Sequence, residues 1–141
     1  MSSSPYPLGL RTLVVDADPM MLAIISALLE DAGFESFETA HDGSAALERL
    51  ADHPFELMIC DLNMPGMDGI RLMSRLASLA ALPAVVLLSG EDPRVLDVSR
   101  QFAEAKGLTI LGVLPKPVDH DALMAVLRQY RPAAPQPVAS A

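Results

Sequence analysis

The sequence predicts one α/β domain built on a doubly wound parallel sheet. Three observations carry that expectation. Short uncharged runs recur along the chain at Leu13-Val14-Val15, Leu57-Met58-Ile59-Cys60, Val85-Val86-Leu87-Leu88 and Leu111-Gly112-Val113-Leu114. Runs of this kind, bounded by turn residues, are how strands buried on both faces of a parallel sheet read. Between them lie stretches with helical spacing, so strand and helix alternate through the chain. Each apolar run also leads into polar groups, which places chemistry at the strand ends. The crossovers are expected to be right-handed.

The elements follow in order. Residues 1–9 are rich in Ser and Pro and read as a flexible N-terminus. Leu10 to Asp16 is the first strand. Asp18 is placed to cap a helix, with Pro19 in its first turn. That helix runs from Met20 to Asp31, is apolar on most of its surface, and is stopped by Gly33. Phe34 to Thr39 alternates only in part and suits an edge strand. Asp42-Gly43 turns the chain into a helix from Ser44 to Ala51, with Ala45, Leu47 and Leu50 on its apolar face, and His53-Pro54 ends it. Leu57 to Cys60 is the central strand, and Asp61 follows at once. Met64-Pro65-Gly66-Met67-Asp68-Gly69 forces a loop. Asp68 to Ala80 is a helix with Ile70, Leu72, Met73, Leu76 and Leu79 inward. Pro83 precedes the fourth strand, Ala84 to Leu88. Asp92-Pro93 opens a helix that runs to Ala105 and is ended by Lys106-Gly107. Leu108 to Leu114 is the fifth strand. Asp119 caps the last helix, which runs to Tyr130 with Leu123, Val126 and Leu127 inward. Residues 131–141 read as a semi-stiff Pro/Ala linker, which implies a further domain, or as a frayed tail.

Composition narrows the function classes. At 141 residues one domain is the natural count, and 51% hydrophobic residues argue against disorder of the body. A net charge of −8 disfavours direct nucleic-acid binding. Cys60 is the only cysteine, so no internal disulfide framework exists, which fits a cytoplasmic location. It reads as a small buried hydrophobe. No apolar run approaches the length of a membrane span, and the first residues lack the pattern of a signal peptide.

In an open parallel sheet, ligands bind beyond the carboxyl ends of the strands. There the sequence places Asp16 and Asp18 after the first strand, Asp61 after the third, Ser89 after the fourth and Lys116-Pro117 after the fifth. Clustered carboxylates repel one another and call for a cation, and hard oxygen ligands suit Mg²⁺.

The set Asp16, Asp61, Ser89 and Lys116-Pro117 resembles the receiver domain of bacterial two-component response regulators. The resemblance covers roughly residues 10–130, and Cys60-Asp61-Leu62-Asn63-Met64-Pro65-Gly66-Met67-Asp68-Gly69 is its most specific part. It implies a flavodoxin-like sheet of five strands in the order 2-1-3-4-5. It implies that Asp61 accepts a phosphoryl group from a histidine kinase or phosphotransfer protein. It further implies a Mg²⁺ held by Asp16, Asp61 and the backbone carbonyl of Asn63, a Lys116 that contacts the phosphoryl group, a cis bond to Pro117 that aims the lysine inward, and a Ser89 that reorients to donate to it. Homodimerisation through the fourth helix, fifth strand and fifth helix is also common in such domains.

Two positions depart from that pattern. Receivers usually carry two adjacent acidic residues after the first strand, whereas the order here is Asp16-Ala17-Asp18. Ala17 falls on the direct metal ligand, so Asp18 must swing in, or water must replace the oxygen, or Mg²⁺ binding weakens. Val113 stands where an aromatic switch residue is frequent, so output here is expected not to use an aromatic flip. Residues 103–117 are similar to receivers that precede cyclic-di-GMP phosphodiesterase (EAL-type) domains, which makes such an output domain the expected neighbour. The chain is not expected to be a turnover enzyme. Three alternatives compete. A receiver-like domain used only for protein binding is favoured by Ala17 and Val113. A haloacid-dehalogenase-type phosphatase using Asp16-x-Asp18, Ser89 and Lys116 leaves Asp61 unexplained. A flavodoxin lacks a Ser/Thr-rich phosphate loop and has only six aromatic residues.

Overall fold

A computed structural model describes residues 9–62, 69–79, 82–90 and 93–130. In chain order the elements are β1 (Thr12–Val15), α1 (Pro19–Ala32), β2 (Phe37–Ala40), α2 (Gly43–Asp52), β3 (Leu57–Asp61), α3 (Gly69–Leu76), β4 (Ala84–Ser89), α4 (Pro93–Ala105), β5 (Thr109–Pro115) and α5 (His120–Leu127). All five strands pair in parallel, in the order β2-β1-β3-β4-β5. The expected topology and the edge position of the second strand both hold.

The sheet is covered on both faces, which explains its uncharged runs. One core contains Leu50 of α2, Leu72, Met73 and Leu76 of α3, and Ala103 of α4, packed on Leu13, Met58, Val85 and Leu87. The opposite core contains Ile25 and Leu29 of α1 and Leu123 and Leu127 of α5, packed on Val14, Ile59, Val86 and Leu88. Neighbours in one strand therefore point into different cores, and alternation disappears from the sequence. Each fully buried Leu, Ile or Val contributes about 1.5–3 kcal/mol relative to exposure.

Several boundaries move from the sequence reading, each for a local reason. β1 begins at Thr12 because the ladders to Phe37 and Leu57 begin there. β2 begins at Phe37, three residues later than Phe34. Gly33 adopts φ 97° and closes α1, and the Phe34 amide donates to the Leu29 carbonyl at 2.9 Å. That wrap buries Phe34 against the helix it follows, so Phe34 belongs to the cap and not the strand. α3 ends at Leu76, because Ser78 bonds through its hydroxyl and its amide to the Arg75 carbonyl, at 2.7 and 3.2 Å. α5 ends at Leu127, and the bonds from Gln129 to Val126 and from Tyr130 to Leu127 tighten the last turn. Asp18, Asp42 and Asp119 cap α1, α2 and α5 as side-chain acceptors. Asp92, expected to open the fourth helix, and the inward Ile70 side chain lie outside what is described, as do residues 131–141.

The β4–β5 ladder carries one irregularity. Val85 pairs with Ile110 but Val86 pairs with Gly112, so Leu111 is an extra residue. Leu111 and Gly112 both lie on the α5 side of β5.

Candidate functional site

Parallel strands bring their carboxyl ends to one edge of the sheet, and the chemistry collects there. Asp16 is the first residue past β1, and Asp61 is the last of β3. Asp61 pairs with Leu88, and Ser89 pairs with Pro115, so β4 and β5 end together. Lys116 then follows directly, its amide donating to the Ser89 carbonyl at 3.1 Å. The Lys116–Pro117 bond is cis, as the resemblance implied.

Asp16, Asp61 and Ser89 are buried, at 0%, 2% and 0% exposure. Asp16 Oδ1 accepts from the Asp18 amide at 2.8 Å. Its Oδ2 has no hydrogen bond but lies 2.9 Å from Lys116 Nζ. That contact is an ion pair. The same ammonium donates to Asp61 Oδ2 at 2.9 Å. Burial works to lower the Lys116 pKa, but the Asp16 and Asp61 carboxylates outweigh it and hold the ammonium above its ordinary value. The cluster of two carboxylates and one ammonium keeps an excess negative charge, and most of it is shielded from water.

Cys60 lies beside this cluster, its thiol directed at the Asp61 carbonyl at 3.2 Å. Burial, with Asp61 and Asp16 adding, pushes the thiol far above its ordinary pKa. It stays protonated and packs as a small apolar group, as expected.

The remaining site residues fall into three groups. Asp18 is exposed and its Oδ1 accepts from the Met20 amide at 2.9 Å, so its carboxylate caps α1 instead of joining Asp16. Asn63 lies outside the described residues, with Met64 and Met67. Ala17 and Val113 are half-buried and pack against the α2–α4 core. Among the described residues, no three His, Cys, Asp or Glu side chains gather around a common point.

The donors present still fit a hard cation. Asp16 Oδ2 is a buried oxygen without a hydrogen bond, next to a second carboxylate. Mg²⁺ is commonly held by one or two carboxylates together with phosphate oxygens and water. Asp16 and Asp61 meet that requirement without a third acid.

The sequence reading missed how Asp16 is fixed. The Asp18 backbone amide pins Oδ1 and leaves Oδ2 facing Lys116. The signal was an aspartate two residues before a helix cap, where Asp side chains bind the backbone two residues on. It also gave Lys116 only a contact to the phosphoryl group, whereas here the ammonium spans both acids.

The family described as "Response regulator receiver domain" matches residues 12–128. The chain belongs to that family. The receiver is 35% identical over 99 residues to a two-component response regulator of Oryza sativa subsp. japonica, covering 68% of this chain and 17% of that protein. It is 34% identical over 112 residues to the chemotaxis protein CheY-3 of Vibrio cholerae serotype O1, covering 77% of this chain and 82% of that one. The solved structure of the chemotaxis response regulator CheY4 of Vibrio cholerae superposes with a TM-score of 0.73 at 28% identity, covering 86% of this chain and 98% of that one. The receiver thus spans less than a fifth of the rice protein's length and most of CheY-3's. Receiver domains generally bind Mg²⁺ for phosphorylation. No helix among the described residues is long and apolar enough to cross a membrane.

Proposed function

We propose that this receiver accepts a phosphoryl group on Asp61 and relays it as a conformational change. The observation that carries the reading is the Lys116 ammonium, held 2.9 Å from both Asp16 Oδ2 and Asp61 Oδ2 at the carboxyl edge of the sheet. A carboxylate oxygen of Asp61 attacks phosphorus. The bond between phosphorus and the donor breaks, and the donor keeps that electron pair. Because the charge sits on peripheral oxygens, the site's work is positioning and neutralisation. Lys116 turns to a phosphoryl oxygen as a point charge. The Ser89 hydroxyl donates to another. Asp16, Asp61 and the Asn63 carbonyl would hold Mg²⁺, which supplies charge neutralisation when bound. Asp18 joins them only by giving up the α1 cap.

Intact mass after incubation with a small-molecule phosphodonor and Mg²⁺ tests the reading. One phosphoryl adduct is expected on the native chain and none on Asp61→Asn. An unmodified native chain at every Mg²⁺ concentration, in a folded sample, would leave the binding-only alternative, which Ala17 favours. Ala17→Asp restores a carboxylate next to Asp16 and is expected to tighten Mg²⁺ binding about tenfold, since one added charge at contact distance contributes more than 1 kcal/mol. Equal affinities in a calorimetric titration would show that Ala17 does not limit the metal.

The wider reading follows from the same site. The donor is a histidine kinase or a histidine phosphotransfer protein. The folded unit is residues 10–130, with residues 131–141 linking it to an output domain. The similarity of residues 103–117 to receivers before EAL domains favours a cyclic-di-GMP phosphodiesterase there. Homodimerisation through the α4–β5–α5 face, common in such domains, belongs to the same reading. Only a state that binds the phosphoryl group unequally is shifted by it. The domain acts in the cytoplasm and turns over no substrate beyond its own phosphoryl group.

A further inference from the structure

Helix α1 carries no charged residue from Pro19 to Leu29, and Ser26 is its only polar side chain in that stretch. Met21, Ile25 and Leu29 account for one side, buried in the core that α1 shares with α5. The opposite side is apolar too, yet it is exposed. Met20 is 69% exposed and Ile24 40%, and Ala23 and Ala27 are exposed beside them. Their spacing sets them in one stripe along the helix. A helix that is apolar all round is ordinarily buried, and a continuous apolar patch on a surface marks an interaction site. The N-terminal end of the stripe adjoins the candidate site. The Met20 amide donates to Asp18 Oδ1, and the Asp18 amide donates to Asp16 Oδ1.

We propose that residues 131–141 of the same chain fold back along α1 and cover this stripe. Where they start, how far they reach, and what composition and charge they carry all fit that course. Each helix returns against its parallel strand, so α1 and α5 both run from the carboxyl edge of the sheet to the opposite edge. The chain therefore leaves α5 on the side where α1 ends, with Tyr130 packed on the core the two helices share. In a polyproline II conformation residues 131–141 span about 34 Å, against about 21 Å for the 14 residues of α1. The segment can thus turn back and still reach Met20. Pro132, Pro135 and Pro137 restrict it before it docks, which lowers the entropy lost on docking. Ala133, Ala134 and Val138 supply apolar contacts. Arg131 is its only charged residue and follows Tyr130 directly. At that end of α1, Glu30 and Asp31 are exposed and the last turn has no basic residue. A cation there is favoured by the carboxylates and by the helix dipole alike. A second copy of the chain is the poorer occupant, since two molecules of net charge −8 repel. Seated on the stripe, the segment reaches the rim of the candidate site, and any macromolecule that approaches Asp61 across α1 must first displace it.

Methyl and amide NMR of the full 141-residue chain tests this. The proposal does not depend on the phosphoacceptor reading, and neither phosphodonor nor Mg²⁺ is present. The native chain is expected to show nuclear Overhauser contacts from the Ala133, Ala134 and Val138 methyl groups to those of Ala23 and Ala27. Met20→Gln combined with Ile24→Gln makes the stripe polar at two exposed positions. In that double variant the contacts are expected to vanish and the signals of residues 131–141 to move to random-coil shifts, with the core signals unchanged. Native signals already at random-coil shifts, without contacts to α1, overturn the proposal. Signals that stay in place in the double variant overturn it too, because the segment then rests elsewhere. A mixture of isotope-labelled and unlabelled chains tests the other occupant. Contacts that cross between chains give the stripe to a second copy and overturn the proposal as well. The native contacts decide alone should the double variant not fold.

Discussion

Lys116→Met is expected to lower the unfolding free energy by about 2–3 kcal/mol at pH 7 in the absence of divalent cations. Removing one partner of a fully enclosed ion pair typically costs about 3–5 kcal/mol, because the other charge is left buried. Here two carboxylates are left, both almost fully buried, but the lysine itself is 22% exposed and some solvent reaches it. That exposure sets the estimate below the enclosed case. The pH dependence has a definite sign. Burial lowers the Lys116 pKa and the carboxylates of Asp16 and Asp61 raise it more, so the folded-state value lies above that of the unfolded chain. Its contribution is therefore complete below the unfolded value, about 10.4, and is lost as pH rises through the folded value. Urea unfolding at pH 7, 9 and 11 should show a gap between native and Lys116→Met that holds at 7 and 9 and narrows at 11. A gap of the same size at pH 11 would mean that the methionine acts by packing and not by charge. Saturating Mg²⁺ should narrow the gap at pH 7, because a cation that replaces the ammonium stabilises the variant by mass action.

The sheet was legible because its strands are buried on both faces. Leu57-Met58-Ile59-Cys60 and Val85-Val86-Leu87-Leu88 are fully buried without exception, and no polar residue interrupts either run. Helix starts were legible where a carboxylate caps them, at Asp18, Asp42 and Asp119. Ends were harder, since they depend on contacts distant in sequence. Phe34 looks like a strand residue, and only the return of its amide to Leu29 makes it part of the α1 cap. Leu79 continues the helical spacing of α3, but the Arg75 carbonyl is taken by Ser78. The Leu111 bulge leaves no mark in hydrophobicity, because Ile110, Leu111, Val113 and Leu114 are all apolar whichever core they enter. The strand order itself came from the family resemblance.

The site was legible as an inventory and less so as an arrangement. Asp16, Asp61, Ser89 and Lys116 meet because four parallel strands end on one edge, which follows from the fold alone. Which oxygen of Asp16 faces the lysine follows from a backbone amide two residues away, and a sequence does not show that a particular amide is spare. The competition of Asp18 between cap and ligand was visible as a choice, and its carboxylate caps α1. Residues 63–68 lie outside the described residues, and the role of the Asn63 carbonyl comes from the resemblance.

Gly112→Ala is expected to destabilise the domain by about 2 kcal/mol, the middle of the range for overpacking a filled core. A Cβ at Gly112 would stand 2.8 Å from both Cγ1 and Cγ2 of Val126 on α5. Val126 offers no easy escape, because a β-branched side chain in a helix is confined to one χ1 well. Nor can α5 lift off cheaply, with Leu123, Met124 and Leu127 buried on the same face of the sheet. Gly112 is not needed for backbone freedom, since among the described residues only Gly33 and Gly107 adopt positive φ. With the backbone permissive, alanine would otherwise stabilise by about 0.4–1 kcal/mol through the unfolded state, and the clash has to exceed that gain. Val126→Ala removes both offending methyl groups and, at a half-buried position, costs about 1 kcal/mol by itself. The double variant Gly112→Ala with Val126→Ala should therefore be more stable than Gly112→Ala alone, with a coupling of about 1–2 kcal/mol in a double-mutant cycle from urea unfolding. If Gly112→Ala costs the same in both backgrounds, the close approach of α5 to β5 is not what holds glycine at this position, and the cause lies in the neighbouring bulge at Leu111.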